Sequence, residues 1–256
     1  MFSGLSALDS YSYSFLILFC RIGAALMFLP GFAATQVPSR IRMLTALSIC
    51  SLLLPVLGKN VPAQPPQTLE LAVLIGGEVT VGIFIGIITQ ATLSALDVCG
   101  NFASYVIGLT SALTFDPITQ AQSQIIIGFL NMLALAVIFA TDTHHLMLHA
   151  IVDSYNVLPA GQWISVDDAT QTMVHTITAS FSIAMRLAAP LVVFGLVFNA
   201  GLGLLGKMVP QIQVFFVAAP LQIILGMTLL LFSLPMILSM LLHHVVDGLS
   251  LFAAPR

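Results

Sequence analysis

The side chains that could do chemistry in this sequence are few, and the histidines come first. His145 and His149 are four residues apart, with His144 and Asp142 beside them. On a helix this spacing places two imidazoles on one face, as in many zinc sites. A zinc protease of the HExxH type would need glutamate after the first histidine, and leucine stands there. These residues are therefore interpreted as polar groups at a helix end, and no metal is predicted.

The cysteines and the remaining motifs do not predict catalysis. Cys20, Cys50 and Cys99 are far apart and lack the CxxC spacing of a zinc or redox site. We interpret them as small buried apolar residues. The sequence has neither a GxSxG motif nor a complete P-loop. The chain is therefore predicted not to be an enzyme, and no cofactor is expected.

Three charged residues stand inside apolar segments. Arg21, Glu78 and Arg186 each have apolar sequence on both sides. A charge at the centre of a bilayer helix costs at least about 2.5–3.5 kcal/mol, so all three are predicted to be buried charges. Glu78 is expected to pair with Arg21 or Arg186, within one subunit or across a subunit contact. The pair could fix helix packing or take part in proton coupling, and the sequence leaves both roles open.

The overall composition is that of a membrane protein, so these charges have apolar surroundings. Hydrophobic residues make up 59% of the 256 positions, charged residues 7%, and the mean hydropathy is +1.07. Because soluble domains carry about 25% charged residues, the sequence predicts a multi-span membrane protein. The net charge is −3 and the seven basic residues are scattered, so nucleic acid is not an expected partner. No basic region precedes the first apolar segment, which is expected to stay in the protein.

The apolar segments predict an all-α membrane protein of about six long helices in hairpins. About 20 apolar residues cross a bilayer as a helix, and the candidates are residues 12–31, 41–58, 68–95, 123–141, 174–205 and 212–247. One domain, 1–256, would contain a first hairpin (12–58), middle helices (68–141) and a C-terminal hairpin (174–247). The last two segments exceed the bilayer thickness. Pro190, Pro220 and Pro235 should kink them, and other protein should cover them.

Two regions do not fit the spanning pattern. Residues 97–122 are apolar but contain Gly100, Gly108, Asp116-Pro117 and a run of Ser and Thr, which should break any long helix. Irregular backbone at membrane depth lies within protein or lines a water-filled cavity. A re-entrant or pore-lining segment is therefore favoured over an ordinary surface loop. Residues 142–173 contain four Asp and no Lys or Arg, and they are predicted to form a polar loop.

Particular stretches resemble one protein family. The first begins RIGAALMFLPGFAATQVPSRIR at Arg21, and the second is NAGLGLLGKMVPQIQVFFVAAPLQIILG from Asn199 to Gly226. The run SYNVLPAG at 154–161 is similar to a further family element. On these residues, with the segment order and length, the chain is identified as a member of the FliR/SctT family. This family supplies export-gate subunits to flagellar and virulence type III secretion, and the overall likeness favours the flagellar branch.

The resemblance implies partners and a place in the cell. Members of the family are present in one copy among FliP-like and FliQ-like subunits and build a helical hetero-oligomeric pore with them. A FlhB-like subunit surrounds the entrance, and unfolded flagellar subunits pass through, driven mainly by the proton motive force. The implied location is the bacterial inner membrane, in the flagellar basal body. A position raised toward the periplasm after assembly is left open.

The resemblance also implies two sets of site residues. A loop that plugs the closed pore matches about 107–122, with the plug residues Gly108, Thr110, Ser111, Ala112, Leu113, Thr114, Phe115, Asp116 and Pro117. The stretch around PQIQVF is expected to form a subunit contact through Lys207, Pro210, Gln211, Val214 and Phe215. One departure is ATDTHHLMLHA at 140–150, where the family pattern has a Gly-Gly-His-like sequence. His144 and His145 therefore receive no role from the resemblance.

A second class of function is a stand-alone secondary transporter for a small solute. It would use Arg21, Glu78 and Arg186 as binding charges near the membrane midplane, and broken helices with repeats are typical of that class. The over-long final segments and the weakness of any internal repeat count against it. An intramembrane enzyme is a third class, but the sequence contains no catalytic constellation for one.

Overall fold

The computed structural model describes residues 2–33, 37–108, 123–208 and 214–252, and within them it consists of helices, turns and short irregular connections, with no strand. The described helices are α1 (Phe2–Phe28), α2 (Ser39–Leu57), α3 (Thr68–Ile107), α4 (Ser123–Ala140), α5 (Thr143–Val157), α6 (Val166–Met208) and α7 (Val214–Ser250). A 3-10 turn, Gly58–Asn60, follows α2 directly. The prediction of an all-α membrane protein is confirmed.

Five of these helices are long and apolar enough to cross a membrane, and a bent pair could supply a sixth span. The five are α1, α2, α3, α6 and α7. The pair is α4 with α5, which pass the same test of length and composition only together. Pro190 lies inside α6, and Pro220 and Pro235 lie inside α7. Both helices continue through their prolines, so these residues do not end a span.

The chain divides into two compact units. The first contains Met1–Thr92, Thr141–Ile177 and Val245–Arg256, and the second contains Leu93–Ala140 and Thr178–His244. Helices α3, α6 and α7 each contribute residues to both units. This interleaving cannot be recognised in the order of apolar segments, because each boundary falls within a continuous helix.

In the first unit, α1 and α2 form the predicted antiparallel hairpin. The Sγ of Cys50 donates a hydrogen bond to the carbonyl oxygen of Phe15 at 3.5 Å. Arg42, near the start of α2, reaches Met27 near the end of α1. Residues early in one helix thus meet residues late in the other. The short connection between the two apolar segments explains this arrangement, because it allows only antiparallel neighbours.

Helix α3 packs parallel to α1 in the same unit, through two glycines. A Cβ on Gly82 would collide with the carbonyl oxygen of Arg21, and one on Gly86 would lie 2.5 Å from the Cβ of Phe28. A GxxxG pair permits such an approach of two backbones because it removes the side chains between them.

The helix α3 is longer than the sequence predicts. It runs for 40 residues and includes Asp97–Ile107, which was expected to be broken. Gly100 does not interrupt it, because this glycine serves packing: a Cβ there would lie 3.0 Å from Ile127 of α4. The helix ends at Gly108, whose φ of +83° is readily available to glycine. The predicted break therefore begins about eleven residues later than Asp97.

The predicted polar loop 142–173 is also largely helical. Helix α5 occupies Thr143–Val157, and α6 already begins at Val166. Ser165 starts α6 with a reciprocal cap: its hydroxyl donates to Asp168 Oδ2 at 2.5 Å and accepts from the Asp168 backbone N–H at 3.1 Å. Acidic side chains in the first turn also stabilise a helix by their favourable interaction with the helix dipole. Two of the four aspartates that suggested a loop, Asp167 and Asp168, therefore stabilise the start of α6.

Candidate functional site

The first candidate site, in the first unit, is an ion pair between Arg21 of α1 and Glu78 of α3. Arg21 Nε donates to Glu78 Oε2 at 2.7 Å, and Nη2 donates to Oε1 at 3.1 Å. Both residues are 0% exposed. The two parallel bonds match the planar fork of a guanidinium to both oxygens of a carboxylate. Each charge therefore neutralises the other in an otherwise apolar interior.

The run 154–161 completes the surroundings of this pair. Arg21 Nη1 donates to the carbonyl oxygen of Leu158 at 2.8 Å and to the hydroxyl of Ser154 at 3.4 Å. The backbone N–H of Gly161 donates to Glu78 Oε1 at 3.0 Å. The ring of Tyr155 lies 4.0 Å from the Arg21 guanidinium carbon, a cation–π distance. All these groups belong to the SYNVLPAG run.

The end of α5 explains how this run reaches the ion pair. The N–H of Leu158 bonds to the carbonyl oxygen of Ser154 at 2.7 Å and closes the helix. Leu158 then leaves the helical conformation, and Gly161 adopts a φ of +87°. This left-handed φ is costly for residues with a side chain, and it directs the Gly161 N–H at the carboxylate. The sequence analysis did not select these residues as a site, although the family-like run contains them.

The geometry of the ion pair and its surroundings is suited to holding three elements together, and we call this arrangement the clamp. Four of the five N–H groups of the guanidinium have identified acceptors, and both carboxylate oxygens accept bonds. Removing one partner of such a buried pair leaves an uncompensated charge and costs about 3–5 kcal/mol. The arrangement therefore ties α1, α3 and the end of α5 together in the first unit.

Arg186 differs from the other two predicted buried charges. Its side chain, on α6 in the second unit, is exposed within this chain. In the described part of the chain it makes no hydrogen bond or ion pair. The predicted burial of Arg186 is therefore not achieved by this chain, because its position on α6 points away from the buried residues Ala184, Leu187 and Ala188. The carboxylate of Glu78 takes Arg21 as its partner.

The second candidate site is the carboxyl end of α3, in the second unit. Gln222 of α7 donates from Nε2 to the carbonyl oxygen of Val106 at 2.7 Å. This bond satisfies one of the carbonyls that the end of a helix leaves without a partner. Gly226 lets Ile107 approach α7, since a Cβ there would lie 2.8 Å from the Ile107 side chain. The chain thus leaves α3 from a firmly packed point at Gly108.

The residues predicted to plug a pore begin at this point. Gly108 is described, whereas Thr110, Ser111, Ala112, Leu113, Thr114, Phe115, Asp116 and Pro117 lie outside the described residues. The plug assignment therefore stays a prediction. The structure does show that α3 ends immediately before the segment, at Ile107.

The predicted subunit contact lies at the junction of α6 and α7. Lys207 is exposed one residue before the end of α6. Pro210 and Gln211 lie outside the described residues, and Val214 and Phe215 begin α7 without described side chains. The preceding run GLGLLG at 201–206 has the letters of a dinucleotide-binding motif. It lies inside α6, and no strand precedes it among the described residues, so it lacks the structural context of that motif.

The histidine cluster at the start of α5 brings three possible ligands together. Donor atoms of Asp142, His144 and His145 all lie within 4.8 Å of one another. Asp142 Oδ1 is 3.5 Å from His145 Nδ1, and both side chains are largely exposed. His149 is not in this group. Three ligands without a fourth protein donor among the described residues do not make a closed structural zinc site.

The chain is similar to bacterial export proteins over most of its length. Residues 12–247 match the family model described as "Bacterial export proteins, family 1". Identity to the flagellar biosynthetic protein FliR of Caulobacter vibrioides is 38% over 218 residues, or 85% of this chain and 87% of that protein. FliR of Bacillus subtilis is 29% identical over 88% of this chain and 87% of its own length. The secretion system apparatus protein SsaT of Salmonella typhimurium is 25% identical over 68% of this chain and 67% of its own length.

Proposed function

The chain belongs to the bacterial export proteins, family 1, and from this premise we propose that it is the single-copy subunit of the flagellar type III export gate. Its family and its flagellar relatives make it a membrane-embedded component of a flagellar export apparatus. The proposal adds that it helps to form, and plugs, the pore through which unfolded flagellar subunits are secreted. In this role it is structural and non-enzymatic.

The length and exposure of the last helices carry the proposal. Helix α6 has 43 residues, which is about 65 Å at about 1.5 Å per residue, whereas the hydrocarbon core of a bilayer is about 30 Å thick. Only 28% of its apolar window and 17% of that of α7 is buried inside the chain. Lipid cannot cover apolar helix that extends beyond the bilayer. Sister subunits would cover it in an obligate assembly.

The partners proposed are the FliP-like, FliQ-like and FlhB-like subunits of the gate. The junction of α6 and α7, with Lys207, Pro210, Gln211, Val214 and Phe215, is the proposed subunit contact. Its family-like sequence supports this assignment, as does the exposure of Lys207 and Met208. The assembly would stand in the inner membrane within the flagellar basal body, and could be raised toward the periplasm once complete.

The segment after α3 is the proposed plug. Gly108 and Gln222 hold the end of the helix, and a movable segment that closes a pore requires a fixed attachment. The small and hydroxyl residues of 110–114 suit a plug, because they fill a constriction without deep apolar anchoring. The buried Arg21–Glu78 pair is proposed to act as a clamp on packing rather than as a proton carrier.

The mass of the intact complex tests the proposal. The tagged chain, purified in mild detergent from cells that carry the whole export apparatus, should be recovered in a hetero-oligomer that contains it once. Recovery as a monomer or homodimer that transports a small solute would overturn the proposal and support the transporter alternative. In the structure Arg21 and Glu78 satisfy each other and are fully buried, so no observation favours their use as a solute site.

A further inference from the structure

The second half of α3 carries polar side chains along one face. Ser94, Asp97, Asn101 and Tyr105 follow one another at spacings of three or four residues. At about 100° per residue they fall within an arc of about 80°, and we call them the polar stripe. Asn101 and Tyr105 are exposed, Tyr105 to 73%, while Ser94 and Asp97 are half-buried.

The opposite face of the same helix is fully used for packing in the second unit. Leu96, Cys99 and Ala103 are 1% exposed or less. The close approach of α4 occurs on this side, where a Cβ on Gly100 would meet Ile127 at 3.0 Å. Helices in a membrane associate through small residues, and Gly100 and Ala103 supply them on the packed face of this part of α3. Within this chain the polar stripe contacts α4 through Asp97, whereas Asn101 and Tyr105 remain exposed.

The polar groups of the stripe are oriented for contact with water. Asn131 of α4 donates to Asp97 Oδ1 at 2.7 Å, which holds the carboxylate in place. Asn101 donates from Nδ2 to the Asp97 backbone carbonyl at 2.9 Å, so its amide oxygen is left for an external donor. A half-exposed carboxylate and an exposed amide are unfavourable against lipid. They are favourable against a water-filled cavity.

Exposed faces of α4 and α7 in the second unit carry large apolar side chains instead. On α4 the exposed large side chains include Ile125, Phe129 and Met132, and on α7 they include Phe232 and Met236. Such surfaces suit lipid tails or apolar partner helices. The contrast separates the polar stripe from surfaces that the membrane or sister subunits would cover.

We propose that the polar stripe lines the water-filled conduit of the gate and contacts the backbone of the extended polypeptide in transit. This inference rests on the function proposed above. From Ser94 to Tyr105 the stripe is about 16 Å long, which matches about five residues of extended chain. Carboxylate, amide and phenol groups offer donors and acceptors to peptide groups of any sequence. Shallow, exposed contacts of this kind let a substrate slide without a specific pocket.

Cysteine labelling in the assembled gate tests this assignment. Asn101→Cys and Tyr105→Cys are compared with Met132→Cys, whose parent side chain is 76% exposed on α4 of the same unit. The probe is a charged, membrane-impermeant methanethiosulfonate, and the unsubstituted chain gives the background from Cys20, Cys50 and Cys99. We expect the two stripe positions to react at least about tenfold faster than position 132, because a charged reagent requires water. Labelling them should also reduce export.

A photo-crosslinker at position 105 identifies what contacts the stripe. With an export substrate stalled by a stably folded domain, crosslinking should capture the substrate from position 105 and not from position 132. Slow labelling at 101 and 105, or crosslinking from 105 only to another gate subunit, would overturn the stripe assignment. If the complex is intact and exports normally in that case, the proposed function stands. Absence of the hetero-oligomer itself would count against the function.

Discussion

At the scale of single residues, the protein retains two charges in an apolar interior because each compensates the other. Arg21 and Glu78 share two hydrogen bonds, and Ser154, Leu158 and Gly161 supply further contacts. Tyr155 adds a ring face and, among the described residues, its hydroxyl has no hydrogen-bond partner. The tyrosine therefore contributes to this site through its ring.

Glu78→Gln should destabilise the protein strongly. The substitution leaves the guanidinium of Arg21 buried without a counter-charge, which costs about 3–5 kcal/mol. The measurements are the melting temperature of the purified complex and the amount of complex recovered. Glu70→Gln is the matched control, because Glu70 is exposed in the first turn of the same helix. Equal melting temperatures and equal amounts of recovered complex for the two variants would contradict the role of the ion pair as a clamp.

Gly161→Ala should also destabilise, for a backbone reason. Alanine at a φ of +87° costs about 1–2 kcal/mol, and relaxation of that strain would move the N–H away from Glu78. Gly76→Ala is the matched control, for which we expect the opposite sign. Gly76 lies inside α3, and a Cβ added there meets nothing within 4 Å. It should be neutral or stabilising by up to about 1 kcal/mol. Thermal unfolding of both variants in detergent checks the sign, and a neutral Gly161→Ala would exclude the proposed strain.

At the scale of elements, the end of α3 decides where the proposed plug begins. The helix continues past Gly100 because α4 packs against that glycine, and it stops at Gly108, where the backbone turns left-handed. Gln222 and Gly226 fix this end against α7. The helix end before the proposed plug is therefore held by packing against α7.

Deletion of residues 110–116 should open the gate to small solutes while leaving assembly intact. The deletion spares Gly108 and the contacts of Val106 and Ile107 that hold the end of α3. Uptake of a small fluorescent or toxic solute by cells measures leakage, and co-purification of partners measures assembly. Leakage at the background level with an intact complex would show that the plug lies elsewhere.

At the scale of the whole molecule, exposed surface is the main clue to assembly. Much of the apolar window of α6 and α7 is exposed within the chain, and Arg186 stands on α6 without a described partner. An arginine on an apolar helix that is long enough to span a membrane requires an acidic or carbonyl partner. The prediction that Arg186 is buried therefore requires another subunit.

Arg186→Met should reduce co-purification of the gate partners severalfold. Methionine preserves length and packing but leaves the acceptor of the neighbouring subunit without its cation, at a cost of about 1–3 kcal/mol or more. Met185→Leu, at the adjacent exposed position, is the control and should have little effect. If Arg186→Met assembles as well as the control, Arg186 does not contact a charged partner.

The sequence by itself determined the class of the protein and the need for compensated charges. A charged fraction of 7% and apolar runs of spanning length leave only a membrane protein, and the motifs identified its family. The sequence did not determine which cation pairs with Glu78. From the sequence, Arg21 and Arg186 are equally possible partners of Glu78, because pairing depends on how the helices approach one another in space.

The tertiary structure decided that choice, and it placed the run 154–161 around the ion pair. The structure also corrected two predictions of non-helical sequence. Gly100 suggested a break in a helix, but α4 requires the space it leaves, and the aspartates near 167 suggested a loop, but they stabilise the start of α6. Local propensities are weak compared with packing and capping. The class of the protein therefore follows from composition, whereas helix boundaries and charge partners follow from contacts between residues distant in sequence.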